Sequence, residues 1–470
     1  MKRLFCLLTI CAALASSCAK TMYPDASNKG QNDSSTTATA ESAMTDSATT
    51  VQMLLQQGDV PSFANDLPKR ITIAAILPFN LASNSIAEDK LQMRSVEFYE
   101  GLLLAVNRWQ QEGVQITVKA YDLGSRPLEE ILTDESLLDV QTIIAPIDAQ
   151  QVEQIAHFGE AHAIPVVSPF TFCRDLVEHF PHLFQLPTPK STLYPQLAET
   201  ILDQFGTYRI VFVKDSLFQE QVDPFPAYLQ QEMDSLGRAY DSYIYNEPYS
   251  VMCMDSALNL YDQHVLYVLE TPQCDAIRRF FPSLKNKLFL DANPMMANYI
   301  GASYANSSNS VSTAVTVESE MPDSLMSDTI MYITEARKVA ILGYPEWQLY
   351  TDDFMEYFYD LNVWMFTKFY INPFDLSVQE FYDDFKNWYN RELMPLYPKV
   401  GVLGYDVTNY VVDQLRKYGK LGVENEEEEP IETLQSAICF EQQGDSCYMN
   451  RGLYLVHFTP ETTIEKLEIK

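Results

Sequence analysis

Positive charge is scarce in this 470-residue chain: Lys and Arg number 32 against 64 Asp and Glu, a formal charge of −32. So acidic a surface repels phosphate backbones. That excludes nucleic acid as a partner, and adhesion to an anionic lipid face through charge alone. Long apolar runs are also lacking, and beyond Ala15 no stretch reaches the ~20 residues that a membrane-spanning helix needs. Catalytic signatures are missing too: there is no G-x-S-x-G, H-E-x-x-H, Walker loop or paired C-x-x-C. The six histidines are scattered. His157 and His162 lie on different faces of one expected helix, and His179 and His182 in "HFPH" make too small a set to hold a metal. Ser168 precedes Pro169 with no general base nearby. These absences point away from an enzyme, and neither metal nor cofactor is expected.

The N-terminus is better supplied. "MKRLFCLLTICAALASSCAK" has a basic start, an apolar run from Leu4 to Ala15 and small residues before Cys18. It reads as a secretory signal over 1–17, too short to span a bilayer. Ala15-Ser16-Ser17-Cys18 resembles a bacterial lipobox, with Ala15 where Leu is usual and Ser17 where Gly or Ala is usual. Lipidation of Cys18 is expected, and cleavage after Ala15 is the rival reading. Acyl chains contribute roughly 0.8 kcal/mol per buried methylene, enough together to hold the chain at a membrane. From 18 to 69, "KGQNDSSTTATAESAMTDSATT" and its flanks are too polar to fold and read as a flexible tether of about 40 Å.

Of eight cysteines, Cys6 and Cys11 leave with the signal and Cys18 is the acylation site. Cys173, Cys253, Cys274, Cys439 and Cys447 remain, an odd set that excludes complete pairing within one chain. Cys439 and Cys447 flank the turn "FEQQGDS" and form a possible disulfide across a hairpin; the alternative is buried thiols.

From Arg70 apolar runs alternate with helical patterns. Strands are expected at Ile71–Leu77, Val114–Tyr121, Thr142–Pro146 and Pro165–Ser168, with helices at Ser95–Gln111, from Pro127, and at Gln150–His162. A second series has strands at Arg209–Lys214, Ser242–Tyr245, Val265–Leu269, Leu288–Asp291 and Lys338–Leu342. Its helices fall near 192–205, 223–237, 252–263 and 274–283. Then come a strand at Val363–Tyr370, helices at Val378–Asn390 and Tyr405–Tyr418 with Asp406 as an N-terminal acceptor, an acidic loop at 424–430 and a closing hairpin. The alternation predicts an α/β protein of two doubly wound, Rossmann-like units, with a binding crevice at the facing strand C-termini.

The segments "ITIAAILPFN", "EFYEGLLLAVNRWQQEGVQITVKAYDLGS", "IIAPIDAQQVEQIAHFGEAHAIPVVSPFT", "RIVFVKDS", "VAILGYPEWQLY" and "YPKVGVLGYDVTNYVVDQL" follow one another from 71 to 415. In that order they resemble the type 1 periplasmic binding proteins, the receptor ligand-binding fold that includes branched-chain amino-acid binders. The likeness is nearest to envelope lipoprotein and LysM-linked variants, although this chain has no LysM repeat. The resemblance implies two lobes joined by three hinge crossings near 187–191, 371–376 and 430–435. Lobe one is then 70–188 plus 375–432, and lobe two 189–374 plus 433–470.

The resemblance also implies a site. Glu346 in "GYPEW" aligns with a second-lobe carboxylate that receives a ligand ammonium, with Tyr344 and Trp347 beside it. Asn80, Asp148, Ser168, Phe170 and Thr171 follow first-lobe strands and are the opposite wall. Asp148 departs from the amino-acid binders, since it repels an α-carboxylate. The function implied is a non-catalytic, envelope-anchored receptor that closes on a small solute for uptake or sensing, facing the periplasm or the surface of a Gram-negative cell. The alternative is a scaffold or activator of peptidoglycan synthesis with a vestigial cleft. The partner is then a transporter in the first case and a cell-wall synthase in the second.

Overall fold

A computed structural model of the chain describes residues 70–81, 90–245, 264–292, 339–422, 433–442 and 445–469. The signal, Cys18, the tether, the helix expected near 252–263 and the acidic loop lie outside these residues.

The first sheet begins with β1 (Arg70–Leu77), α1 (Lys90–Gln111) and β2 (Gln115–Asp122). The short α2 (Leu128–Ile131) follows, with Pro127 at its N-cap, and then β3 (Thr142–Ile144) and α3 (Ala149–His162). β4 (Val166–Ser168) and β5 (Leu183–Gln185) complete a parallel array. β1 is apolar almost throughout and buried on both faces, as inner parallel strands are.

α4 (Tyr194–Gln204) opens the second series, followed by β6 (Arg209–Asp215), α5 (Pro224–Ser235), β7 (Asp241–Tyr245) and β8 (Val265–Leu269). α6 (Cys274–Ala292), β9 (Val339–Gly343), a 3₁₀ turn (Pro345–Tyr350), α7 (Thr351–Asp360) and β10 (Val363–Thr367) finish its parallel part. β8, β9 and β10 are buried at every position.

The chain then returns to the first lobe with α8 (Leu376–Tyr389) and α9 (Val400–Tyr418). The hairpin β11 (Phe440–Gln442) and β12 (Tyr448–Asn450) extends the first sheet, and the hairpin β13 (Leu453–Phe458) and β14 (Ile464–Ile469) extends the second. The orders are β2-β1-β3-β4-β5-β12-β11 and β7-β6-β8-β9-β10-β13-β14. β12 runs parallel to β5, whereas β13 runs antiparallel to β10.

α1 and α9 cross with their backbones touching. Gly101 lies against the carbonyl of Gly401 and Gly404 against that of Phe98, so a methyl group fits at neither glycine. Trp109 Nε1 donates to Asn409 Oδ1 at 2.9 Å across the same seam.

Four expectations are corrected. Leu288–Asp291 is the end of α6, not a strand: Ile277, Phe280, Phe281 and Leu284 are buried at helical spacing, and Leu288 packs on the same core. α9 begins at Val400, so Asp406 is internal rather than a cap. Its buried carboxylate accepts the N–H groups of Leu434 (2.8 Å), Gln435 (2.9 Å) and Ser436 (2.8 Å). The third passage between lobes falls at 451–452 instead of 430–435, because β11 and β12 belong to the first sheet. Residues 440–450 are therefore first-lobe material, where the whole of 433–470 was expected in the second.

Cys439 and Cys447 are not bonded to one another. The pairing of Gln442 with Tyr448 and Phe440 with Asn450 sets Cys439 level with Arg451, four positions along the ladder from Cys447. At ~3.3 Å per residue that offset is about twice the reach of a disulfide.

The three passages are stitched together. Lys368 Nζ donates to the Thr188 carbonyl at 2.8 Å, Thr188 Oγ1 to that of Asn450 at 2.7 Å, and Asn450 Nδ2 to that of Ala437 at 2.8 Å. Burial, with the charge of Lys190, pushes the Lys368 ammonium down to about 8.

Candidate functional site

Strand C-termini supply the expected first-lobe wall. Asn80, just past β1, has a φ of 50°, and its N–H donates to Asp122 Oδ1 at the end of β2 (2.8 Å). Burial raises the Asp122 carboxyl, but hydrogen bonds from Ser125, Gly124, Leu81 and Asn80 outweigh it and hold the group below the usual range. Asp148 is exposed and caps α3, accepting from Gln151 N at 3.0 Å. That role explains an aspartate in "APIDAQQ" without a ligand. Ser168 is buried and donates to the Thr171 carbonyl at 2.8 Å, while Thr171 Oγ1 donates to that of Ile147. Phe170 is half-buried and meets Phe98 edge-on at 4.8 Å.

Two of the three second-lobe residues sit in the core. Trp347 is 0% exposed, lies over Gly343, and stacks among Phe281, Tyr344 and Phe358; its Nε1 donates to the Pro272 carbonyl at 3.1 Å. Its indole is thus a plug on the end of β9 and gives no face to the crevice, which corrects the expected ligand wall. The Tyr344 ring is likewise buried, and its hydroxyl donates to the Leu269 carbonyl. Burial raises that phenol well above its ordinary range.

Glu346 remains accessible, its side chain 39% exposed. The 3₁₀ turn directs it toward the first passage, where its Oε1 meets Lys190 Nζ at 2.6 Å. Lys190 also faces Asp223 Oδ2 at 3.7 Å. Asp223 is buried and caps α5, accepting from Phe225 N at 2.9 Å. Burial and the charges of Asp223 and Glu346 together push the Tyr194 phenol up to about 12. One ammonium therefore stands between two carboxylates, and Glu346 Oε2 is out of water with no hydrogen-bond partner among the described residues.

Sequence reasoning missed Lys190 and Asp223 as site members. "VDPF" carries an N-cap and N1 proline signature for Asp223, but nothing local ties a lysine at 190 to a glutamate at 346. It also missed a bridge between lobes: Gln348 Nε2 donates to Tyr397 Oη at 2.8 Å and to Thr367 Oγ1 at 3.0 Å. Among the described residues no cluster of His, Cys, Asp and Glu suits a metal ion, and no helix is long and apolar enough to cross a membrane.

No family model matches the chain, and no curated protein does. Solved structures do match. A putative branched-chain amino acid ABC transporter protein from Chromobacterium violaceum is 14% identical, with 84% of this chain and 100% of that one covered and a TM-score of 0.46. The LpoA C-domain from Haemophilus influenzae, a regulator of PBP1A, is 11% identical over 84% and 99%, with a TM-score of 0.41. An ABC transporter substrate-binding protein from Desulfitobacterium hafniense in complex with Leu is 14% identical over 85% and 100%, with a TM-score of 0.36. In this chain each sheet runs second-first-third-fourth-fifth before a returning hairpin, and three passages join the halves. That arrangement is a two-lobed α/β fold, the one that the sequence's resemblance to the type 1 periplasmic binding proteins implies.

Proposed function

We propose that the protein is a non-catalytic, envelope-anchored binding protein whose lobes close on a small solute carrying a cationic group, for uptake or sensing. The observation that carries this reading is the Lys190–Glu346–Asp223 cluster beside the first passage, with its surplus of negative charge and a Glu346 oxygen that has no partner among the described residues. An ammonium of a ligand displaces Lys190 from Oε1. Asn80, Asp148, Phe170 and Thr171 line the facing edge in this reading, and a membrane transporter is the partner that uptake requires.

The test is calorimetric titration with whatever solute native mass spectrometry finds co-purified. Glu346→Gln keeps the shape and removes the charge, so binding is expected to weaken by about 1.5–3 kcal/mol, a factor of roughly 10–150. Unchanged affinity removes Glu346 from the site.

The scaffold reading has its own support: Ser168, Thr171 and Tyr344 spend their hydroxyls, and Trp347 its N–H, on the chain's own backbone. If it is right, a cell-wall synthase is recovered in pull-downs and the Glu346→Gln protein recovers it equally well.

Attachment through a lipidated Cys18 places the body at a Gram-negative membrane. Cys18→Ser is expected to move the protein from the membrane fraction to the soluble one, and its retention in the membrane fraction rejects the anchor.

A further inference from the structure

Cys173 and Cys447 lie far apart in sequence and share one buried cluster on one face of the first sheet, both as free thiols. β12 pairs in parallel with β5, Tyr448 with Phe184 and Met449 with Gln185. One step back along the ladder sets Cys447 level with Leu183. Side chains alternate along strands, so Cys447 points to the same face as Gln185. Cys173, in the loop after β4, packs into the same core cluster as Leu183 and Cys447.

The fully buried amide of Gln185 touches both cysteines. Its Oε1 accepts from Cys173 N at 2.6 Å, and its Nε2 lies 3.3 Å from the Cys173 carbonyl and 3.3 Å from Cys447 Sγ. Cys447 N donates to the Val177 carbonyl at 2.8 Å, which ties the strand to the Cys173 loop a second time. Burial pushes both thiols above their ordinary range, so they are protonated and quiet at neutral pH. A surface hollow of about 500 Å³ lies alongside, lined by Phe172 and Arg174 on either side of Cys173 and by Val177, Pro189 and Met449. It brings solvent to the edge of the loop.

We propose that Cys173 and Cys447 form an intrachain disulfide by exchange with a disulfide donor such as glutathione disulfide or an oxidised dithiol protein. One cysteine thiolate attacks a donor sulfur and a mixed disulfide forms as the first donor thiolate leaves. The other cysteine thiolate attacks the protein sulfur of that bond, and the second donor thiolate leaves. The two cysteine protons end on the donor sulfurs, and the two electrons reduce the donor to two thiols. The closed loop contains the whole parallel part of the second sheet. The bond fixes β12, the strand that leads into the third passage, to the loop after β4. It replaces the pairing expected between Cys439 and Cys447 and does not depend on what the crevice binds.

The experiment uses the whole chain, unfolded and refolded in a glutathione redox buffer, alkylated without reduction and mapped by peptide mass spectrometry. The expected result is one cross-linked peptide pair joining Cys173 to Cys447, about 2 Da lighter than the sum of its reduced halves. The oxidised protein is expected to melt about 5 °C above the same sample after reduction. Cys439→Ser leaves the cross-link in place, and Cys173→Ser leaves Cys447 alkylated. Recovery of Cys173 and Cys447 as separately alkylated peptides, from refolded protein with a cooperative melt, overturns the proposal. So does a bond from either of them to Cys439.

Discussion

Glu346 already grips an ammonium from its own chain, and this sets a threshold for any ligand. A cation entering the crevice competes with Lys190, whose nearest other carboxylate is Asp223 at 3.7 Å. On the proposed reading, occupancy of the site and the position of the first passage are linked through a single side chain. Two other carboxyls contribute to how stability follows pH. Burial raises Asp406 from 3.8 to about 6, and raises Glu100 from 4.5 to about 7 despite the guanidinium of Arg391 beside it. In both cases the folded protein holds its proton more tightly than the unfolded chain. Their contribution is complete below pH ~4 and is lost as pH rises through 6 and 7. Urea unfolding is expected to show stability falling between pH 4 and 7, and Glu100→Gln, which cannot ionise, to flatten the upper part of that fall. An identical slope in the variant shows that Glu100 does not titrate there.

At the scale of elements, the α1–α9 crossing is a joint without room for a single added methyl group. Gly404→Ala puts a methyl group into the Phe98 carbonyl, where only a backbone shift makes room. A loss of about 1–3 kcal/mol is expected, read from the denaturation midpoint. The same change at Gly113, which has open space around it, tests the backbone alone, since its φ of 90° disfavours a side chain.

Periodicity made most elements legible. Apolar runs bounded by turns marked β1, β8 and β9 to within a residue or two, and an amphipathic stripe marked α1. Where it failed, the missing information was non-local. "LFLD" at 288–291 is apolar enough for a strand, and only the stripe running back to Ile277 marks it as helix. Nothing within 440–450 reveals that its edge partner is β5, some 260 residues earlier. The site was legible to the same degree. Glu346 follows a buried strand and is accessible, whereas neighbouring Trp347 is consumed by the space that Gly343 leaves open.

For the molecule as a whole, the passages matter more than either sheet. Thr188, Lys368 and Asn450 lie in or beside three different ones and are joined by hydrogen bonds in a short chain. Bending one passage therefore strains the other two, and opening is expected to involve them together. Lys368 anchors this chain with a charge that burial has weakened to about 8. The passages thus meet at a lysine whose charge is expected to be lost in mildly alkaline solution.

The order in which the polypeptide visits its lobes has a consequence for biosynthesis. β1 to β5 emerge from the ribosome first, yet the helix that seats against Gly101 arrives some two hundred residues later, after the entire parallel array of the second lobe. Until then the growing chain displays the apolar flank of α1 and the open edge of β5 with nothing of its own to cover them. Its N-terminal portion stays an unfinished half until α9 arrives, so a chain cut before α9 is expected to expose that apolar flank and to fall out of solution when expressed.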